Sequence, residues 1–499
     1  MFKKVLIANR GEIAVRIIRT CRDLGIATVA IYSATDRDSL HVRLADECLP
    51  VTTDLRYGDK DEVLALALQC GADAIHPGYG FLAEEADFAQ MCADAGITFI
   101  GPPPDVIASV RNKIDTLRTV EAAGFAVPPH SPRSFRPDED EALVEAARAL
   151  GFPLVIKSCK GGRGRGERVV MAESELAATL VEARREAAMI YRSDTVFLER
   201  ALAPSHHIAV PVVADAHGNV VHLGEVEGSL SRHNQKLLEE SPAPCLTPAQ
   251  REQAWQTAVA IAKLVGYQNV GSVEFLADAD GNLYFTEIKA RIVIGHPIPE
   301  LLTGIDLVCE QLRCAAGEPL DLDQESIRQH LEGRAGYAMQ VRINAEDPWR
   351  NYLPSPGTLE RFRLPGGMNV RVDTYGFVGC TVPVRYDSLL AKVVVKGSTR
   401  TQALLRMRRA LEDFKIVGVQ TNLPLHLHIL NDPDFAAGRY DTAFLWRHKM
   451  GMSAADAEMR RDLAAAAAVA YVLRSGMARP VQPAHAQSGW HRSSRTIPG

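Results

Sequence analysis

The chain contains no CxxC pair and no Cys/His spacing that suits zinc, which excludes the common structural zinc modules. Its nine cysteines are scattered singly, apart from Cys309 and Cys314, and read as reduced thiols of a cytoplasmic protein. No stretch approaches the length of a membrane span. The Ala-rich run Ala464–Ala470 is far too short and is flanked by Arg460, Arg461 and Arg474. The apolar run near Met1 stops at Asn9 with no small-residue cleavage site after it, so no signal peptide is expected. Neither charge sign dominates: a net charge of −5 gives no pull toward nucleic acid or an anionic membrane. No Gly-Lys-Ser/Thr follows a glycine-rich loop, so there is no P-loop. No internal repeat is visible.

What is present is an ordinary soluble composition, 46% hydrophobic and 23% charged, over 499 residues, which suits two to four domains. Val5–Ala8, the turn Asn9-Arg-Gly11, a helical stretch Glu12–Leu24 and Thr28–Tyr32 read as strand, turn, helix and strand of a parallel α/β sheet. Ala74-Ile75, a helix near Ala83–Ala95 and Thr98–Ile100 continue it, giving a first domain over 1–112. A second unit, 113–203, holds a helix Asp138–Leu150, strands Leu154–Lys157 and Arg168–Met171, a helix Glu173–Met189 and a strand Thr195–Glu199. A glycine-rich loop between two strands of so small a unit suits a mobile lid over phosphates. The third region has strands near Ile208–Ala214, Val220–Glu225, Gly271–Ala277 and Leu283–Ile288, and divides into 204–330 and 331–447. The remainder, 448–499, reads as a helix (Ala454–Leu473) and a disordered tail.

Three features carry chemistry. The loop Lys160-Gly-Gly-Arg-Gly-Arg-Gly166 offers Gly161, Gly162, Gly164 and Gly166 for close backbone approach to an anion, with Lys157, Lys160, Arg163 and Arg165 for charge. The bland alternative is a solvated hairpin loop. Glu274 and Glu287 are acids inside apolar strands joined by the turn Asp278-Ala-Asp-Gly281, so an antiparallel pairing sets them side by side. Two such carboxylates need a cation between them, Mg²⁺ with nucleotide phosphates or an Arg or Lys. Finally, in Phe285–Pro297 an extended backbone puts Glu287, Lys289, Arg291, Val293 and Gly295 on one face, a row unlike an ordinary sheet face. Of His206 and His207, one is expected to be structural or to touch ligand and the other to be solvated; Asp36-Arg-Asp38 and Arg184-Arg185 read as surface charge.

Ile7-Ala-Asn-Arg-Gly-Glu-Ile-Ala14, Ala74-Ile-His-Pro-Gly-Tyr-Gly-Phe-Leu82, Gln235-Lys236 with Glu239-Glu240, Pro242-Ala-Pro244, Arg342-Ile-Asn-Ala-Glu-Asp-Pro348 and Leu353-Pro-Ser-Pro-Gly357 together resemble the biotin carboxylase family over about residues 2–447. The resemblance implies an α/β and α+β ATP-grasp fold with an N-terminal Rossmann-like domain, a mobile lid and a C-terminal biotin carboxylase domain. It implies that ATP and bicarbonate form carboxyphosphate, whose CO2 carboxylates N1 of biotin on a carrier protein. Matching positions imply Lys113, Lys157, the loop glycines, Glu199, Leu202, His207 and Leu276 for ATP, and Glu274 and Glu287 for Mg²⁺ or Mn²⁺. They imply Lys236 and Arg291 for bicarbonate, Arg342 for the biotin enolate, and Tyr79 and Phe81 beside the biotin pocket. No lysine sits in a Met-Lys-Met-like turn, since Lys449-Met450 follows His448, so biotin is expected on a separate carboxyl carrier protein. A carboxyltransferase in trans and a homodimer are implied as well, with no nucleic acid or membrane partner.

The departures from the family pattern cluster on positions that face ligands. Gly295 stands where the family has the Glu assigned as the base for bicarbonate, Val293 where it has Gln, and Lys289 where it has Asn beside the metal. Ala209 replaces a Glu, Ser231 a Gln and Asn234 a His, and Lys160 and Arg163 replace lid glycines. Loss of a positioned base typically lowers a rate about a hundred- to ten-thousand-fold. Three readings therefore stay open: a biotin carboxylase with altered bicarbonate activation, an ATP-dependent ligase for another carboxylate, and a nucleotide-binding pseudoenzyme partner of a carboxylase complex.

Overall fold

Short β-branched runs separated by amphipathic helices build a five-stranded parallel sheet at the start of the chain. Its spatial order is Glu47–Pro50, Ala27–Tyr32, Lys4–Ile7, Ala74–His76 and Thr98–Phe99. The order reverses at Lys4–Ile7, so the loops after that strand and after Ala74–His76 face each other across the crevice at their carboxyl ends. Asn9 ties the two loops, its Nδ2 donating to the carbonyl oxygens of Pro77 (2.7 Å) and Tyr79 (2.9 Å). Gly78 has φ +63°, and a Cβ there would meet Asn9 Nδ2 at 2.9 Å, so both backbone and space require glycine. The computed structural model describes residues 1–53, 56–159, 168–191, 193–232, 235–333 and 336–448, together with 462, 465–469 and 471.

A three-stranded antiparallel sheet follows, with Leu154–Ser158 between Arg168–Val170 and Val196–Arg200. Helices Asp140–Leu150 and Glu173–Tyr191 cover it, burying Leu143, Ala147, Leu154, Ile156, Leu176, Leu180 and Leu198. The largest sheet is antiparallel throughout. From one edge it runs Leu283–Lys289, Asn269–Ala277, His206–Ala214, Val226–Arg232, Gln235–Ser241, Tyr337–Asn344, Leu389–Gly397 and Val370–Thr374, with Val220–His222 paired to His206–Ala214. Its strands come from both sides of residue 330, and Met1–Lys449 forms one compact unit. The second unit is Met450–Gly499, in which residues 462, 465–469 and 471 are helical; the other residues of the expected helix and the tail after 473 lie outside the described residues. Among the described residues no helix is long and apolar enough to cross a membrane.

Two surface assignments are corrected. Asp36 is buried and takes a two-point ion pair from Arg10 (2.8 and 2.7 Å) and a hydrogen bond from the Tyr57 hydroxyl (2.7 Å). Arg184 is buried too, donating to the carbonyl oxygens of Phe135, Asp194 and Arg136 and to Asp140. Each charge is internal because a neighbouring element supplies its partners, which residue type alone does not reveal.

Candidate active site

The acid pair forms as the strand pattern requires. Glu274 and Glu287 are direct cross-strand partners between Asn269–Ala277 and Leu283–Lys289. Next to them one extra residue, Thr286, bulges out, and its hydroxyl donates to the Glu274 carbonyl oxygen (3.0 Å). Basic side chains surround both acids. His207 Nε2 lies 2.9 Å and Lys236 Nζ 3.9 Å from the two oxygens of Glu274. Lys289 Nζ lies 2.5 Å from Glu287 Oε1, and Lys113 Nζ lies 3.2 Å from Oε2. Burial favours the neutral acid, but Lys236 and His207 outweigh it and hold Glu274 well below the usual carboxylate range. Lys113 and Lys289 do the same for Glu287 against burial and the charge of Glu274. Two hard oxygen donors side by side fit a small divalent cation; the Lys289 ammonium against Glu287 opposes the fit.

The row expected from Glu287 to Gly295 is extended only as far as Lys289. Beyond it the chain bends at Ala290 and Arg291, and Pro297, which cannot donate to a ladder, opens the helix Pro297–Thr303. Arg291 therefore leaves the row and meets Glu84 (Nε to Oε2, 3.1 Å). Gly295 lies in the turn before the helix, where a Cβ would come 2.7 Å from Oε1 of Glu239.

Glu239 and Lys236 share the strand Gln235–Ser241 and should point to opposite faces. They approach to 3.8 Å because Leu230 pairs with Leu238 while Ser231 pairs with Lys236, which leaves Leu237 as an extra residue and re-aims the side chains. Gly228 admits the Lys236 stem: a Cβ there would meet Lys236 Cδ at 2.6 Å. From the next strand Arg342 (2.7 Å) and Gln340 (3.0 Å) donate to Glu239 Oε2. Burial works against the charge, yet Arg342 and Lys236 keep this carboxyl below its ordinary range.

The remaining predicted residues fall in neighbouring places. Lys113 opens the helix Lys113–Ala122, whose first amide donates to the Cys159 carbonyl oxygen (3.2 Å) at the end of the strand that carries Lys157. Lys157 pairs with buried Glu199 (2.6 Å). Leu276 stands opposite His207 in register, and half-buried Leu202 follows the strand of Glu199. Neither His206 nor His207 is the solvated ring expected of the pair: His206 Nδ1 lies 2.7 Å from Glu227, as His207 lies against Glu274. Tyr79 finds its partner in the first domain, and Phe81 finds partners both there and in the C-terminal region. The Tyr79 hydroxyl bonds to Glu12, and the Phe81 ring packs on Tyr57 and Tyr386 (5.3 and 6.3 Å between centroids). Glu84, later in the same loop, meets Arg291 just past the strand Leu283–Lys289. The glycines Gly161, Gly162, Gly164 and Gly166 and their basic neighbours lie outside the described residues, as does Asn234. Glu84, Glu239 and Gln340 had no assigned role from sequence; an acid in the strand Gln235–Ser241, three residues from a ligand-class lysine, was the available signal.

Residues 1–107 match the family described as biotin carboxylase, N-terminal domain, and residues 340–447 match biotin carboxylase C-terminal domain. Residues 112–323 match carbamoyl-phosphate synthase L chain, ATP binding domain. Biotin carboxylase 1 of Bacillus subtilis is 44% identical over 89% of this chain and 98% of its own. The 2-oxoglutarate carboxylase small subunit of Hydrogenobacter thermophilus is 42% identical over 93% of this chain and 98% of its own. The crystal structure of the biotin carboxylase domain dimer of that 2-oxoglutarate carboxylase, in complex with MgADP, ADP and bicarbonate, superposes with a TM-score of 0.86 at 42% identity, over 90% of this chain and 98% of that one. A biotin carboxylase from Campylobacter jejuni superposes with a TM-score of 0.85 at 36% identity, over 90% of this chain and 99% of that one. The parallel sheet, the small antiparallel sheet, the large sheet with its acid pair and these matches agree: the chain belongs to the biotin carboxylase family.

Proposed function

We propose that this protein uses ATP and bicarbonate to carboxylate N1 of biotin held on a separate carrier protein, with a carboxyltransferase acting in trans. The observation that carries the reading is an array of alternating charge across adjacent strands. Lys236 lies 3.9 Å from Glu274 and 3.8 Å from Glu239, and Arg342 lies 2.7 Å from Glu239. Such an array meets anions in sequence: nucleotide phosphates beside Lys113 and Lys157, bicarbonate beside Lys236 and Arg291, and the biotin enolate at Arg342, where fixed positive charge faces developing negative charge. Glu199, Leu202, His207 and Leu276 hold the nucleoside, and Gly161, Gly162, Gly164 and Gly166 belong to the same nucleotide site. ATP entry exchanges the Glu199 partner of Lys157 for phosphate oxygen. Tyr79 and Phe81 border the biotin side.

Glu274 and Glu287 are the residues that would hold Mg²⁺ (or Mn²⁺), which when bound neutralises phosphate charge. We place the protein in the cytoplasm as a homodimer, in keeping with its nine free cysteines and with the dimer of the Hydrogenobacter relative.

The test measures ADP release while bicarbonate and free biotin are varied separately. Release that depends on both is the expected result. Stimulation by another carboxylic acid in place of bicarbonate supports an ATP-dependent ligase of different specificity. Nucleotide binding without turnover supports a pseudoenzyme partner.

A further inference from the structure

We infer that Glu239 is the general base for bicarbonate, its carboxylate standing in the space that Gly295 leaves open. The inference rests on the reading of the protein as a bicarbonate-activating enzyme and adds the proton acceptor that this reading lacks.

The first argument is steric. Gly295 is absent from the glycines with positive φ, so its backbone is open to any residue. Space is what excludes a side chain: a Cβ would stand 2.7 Å from Glu239 Oε1 and 3.2 Å from its Cδ. A real Cβ does not come so near an oxygen, so a side chain at 295 would require the end of the Glu239 side chain to move out of that volume. Here the carboxylate occupies it.

The second argument is the set of neighbours. The Glu239 side chain is only 4% exposed, so its contacts are fixed by the fold. Among the described residues its three hydrogen bonds all fall on Oε2, two from Arg342 (3.2 and 2.7 Å) and one from Gln340 (3.0 Å). Oε1 faces Gly295 and the Lys236 ammonium, 3.8 Å away. One oxygen is anchored and the other points at a cation assigned to bicarbonate, which is the arrangement a positioned base needs.

The third argument is electrostatic. Arg342 and Lys236 keep Glu239 ionised at neutral pH, hence in the accepting form. Bicarbonate arriving beside Lys236 brings a second negative charge. Like charges at short range raise proton affinity, so the base strengthens when its substrate binds. In the step, the O–H bond of bicarbonate breaks and its proton bonds to Glu239 Oε1. The freed electron pair stays on oxygen and attacks the γ-phosphorus of ATP. The bond from that phosphorus to the β,γ-bridging oxygen breaks, giving ADP and carboxyphosphate, and the proton leaves Glu239 for solvent before the next turnover.

Three forms of the full chain test this by bicarbonate-dependent ADP release, with ATP affinity measured alongside: wild type, Glu239→Gln, and Glu239→Ala combined with Gly295→Glu. The expected result is a loss of about a hundred- to ten-thousand-fold in Glu239→Gln at unchanged ATP affinity. The double variant should regain at least about tenfold over Glu239→Gln, because the smaller alanine admits a carboxylate from position 295. A Glu239→Gln rate within about threefold of wild type overturns the inference while the biotin carboxylase reading stands. Loss of ATP affinity in Glu239→Gln without rescue by the double variant marks a scaffolding role and overturns it as well. A wild type silent toward bicarbonate overturns the underlying reading and the base together.

Discussion

Lys289 Nζ lies 2.5 Å from Glu287 Oε1, on the strand that sets Glu287 opposite Glu274. On the other side of Glu274 the register partner is Ala209, not an acid. Relative to the family pattern, one carboxylate has gone and one ammonium has arrived within two strands. Both changes raise the local potential and oppose a divalent cation, and at this range a unit charge near a protein surface is worth a few kcal/mol. Lys289→Asn should therefore lower the Mg²⁺ concentration for half-maximal nucleotide binding by roughly tenfold or more, equivalent to about 1.4 kcal/mol. A titration of Mg²⁺ at fixed ATP checks this, and an unchanged or higher requirement contradicts it.

Buried histidines make stability sensitive to mild acid. Burial lowers His41, His222 and His426 to about 4 and His76 to about 3. An unfolded histidine takes its proton near pH 6.5. Between those values the unfolded chain binds more protons than the folded one, so stability is full above about pH 6.5 and falls as pH drops. The depressed carboxyls of Asp36, Glu239, Glu274 and Glu287 extend the loss below about pH 4.5, and buried Glu12 and Glu225, shifted upward, oppose it. His426 isolates one contribution: its Nε2 lies 2.8 Å from the Arg342 carbonyl oxygen, a bond that glutamine can also donate. His426→Gln should remove about 2 kcal/mol of the stability difference between pH 7.5 and 5. Urea unfolding at the two pH values measures it, and an unchanged difference refutes the assignment.

Much of this fold was legible because its signals are local. The strand–turn–helix pattern from Val5 to Tyr32 matches the observed Lys4–Ile7, Gly11–Asp23 and Ala27–Tyr32 within a residue or two. The acid pair was legible for the same reason: two apolar strands joined by a short turn must pair antiparallel, and Glu274 meets Glu287. The strand Gln235–Ser241 was not, since Gln, Lys, Glu, Glu and Ser give no strand signature and its ladder partners are distant in sequence. The Lys236–Glu239 approach depends on an unpaired Leu237, which alternation cannot anticipate. Likewise the row through Gly295 ends at Lys289, because the chain bends at Ala290 and Arg291 and turns before the helix Pro297–Thr303.

The fully buried Lys392 offers a stability test away from the reacting groups. Its Nζ lies 2.9 Å from Glu12 Oε2 and 3.6 Å from Asp373 Oδ2, joining the first helix to the far strands of the large sheet. Removing one member of a buried ion pair leaves an uncompensated charge and typically costs about 3–5 kcal/mol. Lys392→Met should destabilise by that amount in denaturant unfolding. Adding Glu12→Gln removes the orphaned charge and should restore more than half of the loss. A single variant within about 1 kcal/mol of wild type contradicts this account.

Glu84 joins the first domain to Arg291, one of the two cations proposed for bicarbonate. It accepts from Arg291 Nε (3.1 Å), while the Arg291 NH1 group donates to the Ile292 carbonyl oxygen (3.0 Å). These two bonds fix the plane of the guanidinium, and a fixed plane is what allows arginine to meet a planar oxyanion with two parallel bonds. Glu84→Ala frees the plane, so the KM for bicarbonate should rise about three- to tenfold, the range of one hydrogen bond to a charged group. Glu84→Gln keeps a carbonyl acceptor in place and should fall between that variant and wild type. The KM for ATP should not move, because the bonds of Arg291 go to Glu84 and to the Ile292 carbonyl oxygen, neither of which is assigned to the nucleotide. Steady-state kinetics with each substrate varied in turn decides the matter, and equal rises in both KM values would mean that Glu84 supports the whole cleft instead of orienting one arginine.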